Sequence, residues 1–220
     1  MLDAEDARKA NLNGKKSIEA LTMKWENALD DIQDEGIAID VLNMLRPYRM
    51  VKTLFIEGYV GAKLPMWLRD PFFPNMVELR VERCGKCVSL PAIGQLPFLK
   101  QLVITRMAKV QRLGPEFYGK GCLKSFQSLE TLRFEDMQEW QDWIPCKVDY
   151  EEFPCLRELS ISQCPKLQGK LPYHLPLLEK FSIHNCDQLV VSIPSLPMLH
   201  KFEIVGCKDV NISKFELYLP

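Results

Sequence analysis

The stretch Leu156-Arg-Glu-Leu159-Ser-Ile161-Ser-Gln-Cys164 decides the fold, because variants of it recur eight times along the chain. Each copy has an apolar residue, two variable residues, an apolar residue that is usually Leu, one variable residue, a further apolar residue and, three places later, a residue that is often Cys. The copies begin at Ile18, Val51, Met76, Leu99, Leu129, Leu156, Leu178 and Leu199. Self-similarity at a roughly fixed spacing is the signature of a solenoid of stacked repeats.

Each copy predicts one short β-strand, because the two apolar positions that flank a single variable residue point to the same side of an extended chain. The starts lie 21 to 33 residues apart, which brackets the period of about 20–29 residues typical of leucine-rich repeats. The sequence therefore predicts an α/β leucine-rich-repeat solenoid, or horseshoe, of about eight repeats with a parallel concave β-sheet. Leu-Pro pairs such as Leu64-Pro65 and Leu90-Pro91 predict an irregular or 3₁₀ convex side, since proline disfavours helix in the residue before it.

Some segments between the strands differ from this plan. Apolar residues within 27–45 predict a helix, residues 114–121 (Gly-Pro-Glu-Phe-Tyr-Gly-Lys-Gly) a surface loop, and residues 144–153 an acidic exposed loop. We divide the chain into residues 1–17, a remnant of a preceding repeat, and residues 18–220, the leucine-rich-repeat solenoid. On this interpretation the chain is a piece of a longer array.

Composition is that of a globular protein with no bias toward a charged partner. The formal net charge is −1, with 47% hydrophobic and 26% charged residues, so bulk electrostatics favour neither nucleic acid nor an anionic membrane. No apolar run approaches the roughly 18 residues that a membrane span needs. The first residues are polar and charged, unlike a secretory signal. We therefore expect a cytoplasmic location, no nucleic acid and no membrane span.

Most of the eight cysteines follow the repeat. Cys84, Cys164, Cys186 and Cys207 occupy one column, which we expect to be interior because a free Cys packs as a small hydrophobe. Cys84-Gly-Lys-Cys87 has a zinc-like spacing, but no second such pair exists and Cys87 falls in the next interior column, so we expect no metal. The sequence assigns no role to the remaining cysteines in connecting segments: Cys122, Cys146 and Cys155.

The sequence contains no catalytic motif: Gly-x-Ser-x-Gly, His-Glu-x-x-His and Gly-x-Gly-x-x-Gly are all absent. We therefore expect no enzyme activity and look for function on the outward strand positions. Phe55 is notable there, as an aromatic residue flanked by charges is a common interface anchor. The residues predicted to bind a protein partner on the concave face are Phe55, Glu57, Arg80, Glu82, Thr105, Arg133, Glu135, Ser160, His184 and Glu203.

Several longer segments are more specific than a generic repeat. They are residues 12–25, which begin Leu-Asn-Gly-Lys-Lys-Ser-Ile, residues 58–68, residues 84–97 with two Leu-Pro pairs, Gly114–Gly119, Phe134–Trp143 and Cys164-Pro-Lys-Leu167. In this order they resemble the repeat domain of plant coiled-coil, nucleotide-binding, leucine-rich-repeat disease-resistance proteins. The resemblance covers nearly the whole chain.

This resemblance implies a function in plant innate immunity. In the family, the repeat domain recognises pathogen effectors, directly or through a guarded host protein, and helps to hold the nucleotide-binding switch inactive. The expected partner is therefore an effector, a guarded host protein or the receptor's own nucleotide-binding domain. We expect no cofactor in this chain, because ATP or ADP would bind only to a nucleotide-binding domain that this chain does not contain.

Two other classes of repeat protein remain open at this stage. An extracellular receptor or inhibitor-type repeat protein is suggested by the turn Leu167-Gln-Gly169-Lys-Leu171-Pro172 and by the sequon Asn211-Ile-Ser213. A leucine-rich-repeat adaptor of a ubiquitin ligase would need a helical module before the repeats.

Overall fold

Eight strands pair in parallel into a single sheet in a computed structural model of the chain. The structure describes residues 4–25, 35–69, 73–119, 125–146, 152–169, 171–172, 174–192 and 196–211. The strands of the main sheet, in spatial order, are β1 (Ala20–Lys24), β2 (Thr53–Glu57), β3 (Glu78–Glu82), β4 (Gln101–Thr105), β6 (Thr131–Glu135), β8 (Glu158–Ser162), β9 (Lys180–Ser192) and β10 (Lys201–Asn211). The two-residue strands β5 (Arg112–Leu113) and β7 (Asp142–Trp143) form a second, small parallel sheet.

Strand register places equivalent repeat residues side by side. Leu54 pairs with Leu79, Leu79 with Leu102, and Leu102 with Leu132, and all four side chains are fully buried. Residues of the second apolar column, which includes Ile56, are likewise paired in register and buried. Because one repeat cannot bury its apolar face alone, stacking makes a continuous core and stability becomes a sum of neighbour contacts. The predicted leucine-rich-repeat solenoid is confirmed.

The described parts of the return segments outside the sheet contain short helices. The 3₁₀ turns Met66–Arg69 and Ile93–Gln95 follow Leu64-Pro65 and Leu90-Pro91, as the Leu-Pro pairs predict. Helix α1 (Ala4–Ala10) packs against helix α2 (Glu35–Met44), and a third 3₁₀ turn covers Leu12–Gly14. The helix predicted within residues 27–45 is confirmed over Glu35–Met44, while residues 26–34 lie outside the described part of the chain.

A left-handed backbone follows the fifth strand residue in seven repeats. We call this sixth position the corner residue; its φ lies between +53° and +71° at Gly58, Arg83, Arg106, Asp136, Gln163, Asn185 and Gly206. Such angles are uncommon for residues other than Gly. The corner turns the next side chain into the core, where Tyr59 and Cys84 are buried. It also links repeats, because Arg83 N–H donates to the carbonyl of Thr105 at 3.0 Å.

The predicted interior thiol column is confirmed for most of its members. Cys84, Cys164 and Cys186 are fully buried, whereas Cys207 near the last strand is half-buried. The thiol of Cys164 donates to the Ser162 carbonyl oxygen at 3.3 Å, and Cys84 and Cys186 make the equivalent contacts at 3.5 Å. These thiols are free, so packing and a weak hydrogen bond account for the column.

The cysteines of the connecting segments behave differently from this column. Cys146 is disulfide-bonded, and its partner lies outside the described residues. Cys155 is a free, half-buried thiol, and Cys122 is outside the described part of the chain. The repeat pattern therefore accounts for the column cysteines but does not predict a disulfide.

The prediction of an exposed loop is wrong in part for two segments, because the structure buries aromatic residues in both. Residues Pro115–Tyr118 form the short helix α3, and Phe117 and Tyr118 are fully buried. The described end of the acidic segment buries Glu152 and Phe153 as well. The ring of Phe117 lies 4.9 Å from that of Phe126, and the ring of Phe126 lies 5.0 Å from that of Phe153. Residues 120–124 and 147–151 lie outside the described residues.

The last two strands are longer than the short strands that the repeat predicts. β9 and β10 run together past the corner residues as far as Ser192 and Asn211, with one register shift between Cys207 and Asp209. Strands β5 and β7 form a parallel pair that is separate from the main sheet. In the last two repeats, the corresponding pairing is continuous with the main strands β9 and β10.

Candidate functional site

The main sheet turns one polar face away from the core, which we call the sheet face. Along each five-residue strand, the second and fourth side chains enter the core, so the first, third and fifth point the other way. Because the strands are in register, these positions form three rows across the sheet. The first row is Ala20, Thr53, Glu78, Gln101, Thr131, Glu158, Lys180 and Lys201. The middle row is Thr22, Phe55, Arg80, Val103, Arg133, Ser160, Ser182 and Glu203. The third row is Lys24, Glu57, Glu82, Thr105, Glu135, Ser162, His184 and Val205.

All ten residues predicted to bind a partner lie on this face. Five of them, with neighbours from the first row, line a depression of about 290 Å³ across β3, β4 and β6. Those five are Arg80, Glu82, Thr105, Arg133 and Glu135. Phe55 and Glu57 lie beside the depression on β2, and Ser160 lies beside it on β8. His184 and Glu203 lie apart near the last strands, where His184 Nε2 is 3.5 Å from Glu203 Oε1.

The ten residues differ in accessibility. Arg80, Arg133 and Glu203 are exposed, and most of the others are half-buried. Only 8% of Glu57 and 9% of Thr105 is accessible to solvent. Glu57 is covered because its carboxylate pairs with Lys24, 3.4 Å away, and with Arg83. These cations come from the neighbouring strand and from a corner residue.

The sequence interpretation missed the first row of the sheet face. Gln101, Thr131 and Glu158 line the depression together with residues of the other two rows and the corner residue Arg106. The signal was present, because these residues precede the fixed leucine by one place and obey the same period-two alternation. Corner residues such as Arg106 have no such signal, since their direction depends on the left-handed backbone.

Charge is arranged in stripes across the centre of the sheet face. From β2 to β8, the charged residues of the middle row are Arg80 and Arg133, with no acidic residue between them. Over the same five strands, β2 to β8, the first row carries Glu78 and Glu158, and the third row carries Glu57, Glu82 and Glu135. A basic row is therefore bordered by an acidic row on each side. Such patterning selects partners by charge complementarity more than it adds raw affinity.

The ion pairs on the face are exposed and exchangeable. Arg80 Nε lies 2.6 Å from Glu78 Oε1, and Arg133 Nη2 lies 3.0 Å from Glu135 Oε2. About half of each arginine side chain remains accessible. Exposed pairs of this kind contribute about 0–1 kcal/mol, so a partner can replace them at little cost.

A buried polar cluster lies across the core, away from the sheet face. The Nε1–H of Trp143 donates to the hydroxyl of Tyr118 at 2.8 Å, and that hydroxyl is hydrogen-bonded to the Glu152 carboxylate. The backbone N–H of Cys146 also donates to Glu152. Burial raises the pKa of both Tyr118 and Glu152, although these donors partly oppose the shift at the carboxylate. Since the cluster is enclosed, we expect it to contribute to stability.

Neither a metal site nor a membrane-spanning helix is found in the described part of the chain. Within these residues, no three or more His, Cys, Asp or Glu side chains are grouped so that they could hold a metal ion. The thiol of Cys87 instead donates to the Gly61 carbonyl oxygen at 3.1 Å, and its contact with Cys84 and its burial raise its pKa. No helix among these residues is both long enough and apolar enough to cross a membrane.

The repeat geometry and the polar sheet face define the class of protein: the chain is a leucine-rich-repeat solenoid. Residues 1–107 match the family described as R13L1/DRL21 LRRs. The chain belongs to the leucine-rich repeats of plant disease-resistance proteins, as its relatives show. The family resemblance inferred from the sequence is thus confirmed.

Three relatives illustrate this membership. Putative disease resistance RPP13-like protein 1 of Arabidopsis thaliana is 38% identical over 203 residues, which cover 86% of this chain and 19% of that protein. A second putative disease resistance protein of Arabidopsis thaliana is 36% identical over 86% of this chain and 14% of its own length. Disease resistance protein RGA2 of Solanum bulbocastanum is 27% identical over 86% of this chain and 17% of its own length. The chain thus spans less than a fifth of each of these relatives, and no solved structure is a significant match.

Proposed function

We propose that the chain is the protein-recognition module of a plant intracellular immune receptor and that the sheet face carries the contacts. The partner is a pathogen effector, a guarded host protein or the nucleotide-binding domain of the same receptor, and through that last contact the repeats contribute to autoinhibition. The module itself binds no nucleotide and catalyses no reaction. The supporting observation is the depression across β3, β4 and β6, where exposed charged side chains surround half-buried Val103.

The physical basis is the rigidity of the surface. The strands that carry the face are held by neighbours on both sides and by fully buried residues beneath, so the side chains start from fixed positions. A preorganised surface loses little conformational entropy when a partner binds. Phe55 supplies a half-buried aromatic anchor next to Arg80 on the neighbouring strand. Aromatic residues and arginine are the residue types most enriched among interface hot spots.

Comparative affinity capture from leaf extract tests this proposal. The face variant combines Phe55→Ala with Arg80→Glu and Arg133→Glu, and the matched control combines Arg69→Glu with Arg112→Glu, two exposed arginines away from the sheet face. We expect the control to recover the same proteins as the wild type and the face variant to lose a defined subset. Equal recovery by the face variant, with circular dichroism showing that it is folded, would refute the assignment of the sheet face.

A further inference from the structure

The centre of the sheet face brings two arginines to opposite sides of one apolar residue. Arg80 on β3 and Arg133 on β6 both pair in register with Val103 on the intervening strand β4. Two steps between strands separate the arginine backbones by about 9.6 Å. Their long side chains can therefore converge on a single group placed over Val103, which is itself half-buried.

The unused hydrogen-bond donors of these arginines define the kind of group that fits. A guanidinium has five N–H donors, and the structure shows one carboxylate partner for each arginine. The remaining donors match the two oxygens of a further carboxylate, which arginine binds in a bidentate manner. The hydroxyl oxygen of Thr105, two residues beyond Val103 on the same strand, is buried and has no hydrogen-bond partner among the described residues.

The acidic rows determine which charges the partner can carry beside that carboxylate. Glu78 and Glu158 lie on one side of the arginines and Glu82 and Glu135 on the other, each row about 7 Å away at two residues per step. An acid placed over either row would meet like charge, whereas a base would be attracted there. Among the three rows of β3, β4 and β6, the position between Arg80 and Arg133 is the one with a basic residue on each side, so the stripes set the register of the partner.

We propose that the depression receives an acidic side chain of a protein partner, held over Val103 by Arg80 and Arg133 and flanked on each side by a basic side chain of the same segment. An extended segment with the pattern basic-x-acidic-x-basic has the required spacing, because alternate residues of a strand are about 7 Å apart. This inference rests on the proposed function of the sheet face and adds the chemistry of the partner.

Selection from a phage-displayed library of random peptides tests the inference without a known partner. The bait is the whole chain, and the enriched peptides are synthesised and measured by fluorescence anisotropy. We expect enrichment of Asp or Glu flanked by Lys or Arg two residues away. Arg80→Gln with Arg133→Gln should weaken such a peptide about tenfold or more, whereas the control Arg69→Gln with Arg112→Gln should change its affinity less than about twofold.

A second arm tests the pairing directly. Replacing the acidic residue of the peptide by its amide should weaken binding to the wild type but not to the double arginine variant, since the contact is already lost there. Peptides without acidic residues whose binding still requires Phe55 would overturn this inference and leave the proposed face intact. Peptides whose affinity is unaffected by any substitution on the sheet face would overturn both.

Discussion

At each corner residue, a single backbone conformation turns the chain. Their left-handed conformation turns the chain off the sheet and points the following side chain into the core. Arg83, Arg106 and Gln163 adopt this conformation with full side chains, so a Cβ is tolerated at the corner in general. Gly58 is different, because a Cβ there would lie 2.7 Å from the backbone carbonyl oxygen of Trp25. The contact with the preceding repeat, and not the dihedral angle alone, requires glycine.

Substitution of Gly58 by alanine tests this account. We expect Gly58→Ala to lower the free energy of unfolding by about 1–3 kcal/mol, because the backbone of the preceding repeat must shift to admit the methyl group. Gly85→Ala is the matched control, since a Cβ there meets no atom within 4 Å. Its effect should stay within about 0.5 kcal/mol. Urea denaturation measures both, and equal effects of the two substitutions would contradict the account.

At the scale of elements, helix α3 adds two fully buried aromatic residues to the core, Phe117 and Tyr118. The segment Gly114–Gly119 suggested a loop because its glycines and proline are turn formers. The structure instead buries Phe117 and Tyr118 against Phe126 and against Phe153, which is distant in sequence. Local patterns do not carry that information. The short strands were predictable for the opposite reason, since their apolar alternation is local and repeats eight times.

The pH dependence of stability tests the buried cluster. Burial raises the pKa of Glu152 in the folded state above its unfolded value. The contribution of the Glu152 carboxyl to the free energy of unfolding is therefore fully present below its unfolded pKa. This contribution is lost as pH rises through its folded pKa. We expect Glu152→Gln, which does not titrate, to gain stability relative to the wild type as pH rises above the ordinary pKa of a glutamate. Urea midpoints of both proteins across this range measure the difference.

The exposed substitution Glu116→Gln, on the neighbouring helix α3, controls for loss of one surface carboxyl. A stability difference between the wild type and Glu152→Gln that is independent of pH would show that the carboxylate is not buried as described.

At the scale of the whole molecule, each strand of the main sheet pairs with the strands next to it, and residues of all eight strands form the sheet face. The repeat spacing predicted the order and register of these strands, and hence the middle and third rows of the face. It could not predict that Lys24 and Arg83 cover Glu57, because that depends on where long side chains of other repeats come to rest. The unpaired state of Thr105 likewise depends on packing across strands.

Leu→Ala substitutions in the same core column should lower the free energy of unfolding by different amounts along the solenoid. Leu132 on β6 is fully buried between two neighbouring strands, whereas Leu21 on β1 is half-buried and pairs with β2 alone among the described strands. Because the loss depends on the area buried and the cavity left, we expect Leu132→Ala to cost about 2–5 kcal/mol and Leu21→Ala clearly less. Equilibrium urea unfolding compares the two variants. A larger loss for Leu21→Ala would contradict stabilisation by neighbour contacts.

We propose that the sheet face, and not the opposite side of the solenoid, contacts the partner. Photo-crosslinking in leaf extract measures this most directly, with a benzophenone amino acid placed either at Thr131, on the face, or at Gln111, which is exposed next to β5. We predict protein adducts from position 131 that are lost when Arg80 and Arg133 are both reversed to Glu, and no equivalent adducts from position 111. Adducts formed from position 111 and absent from position 131 would contradict the claim.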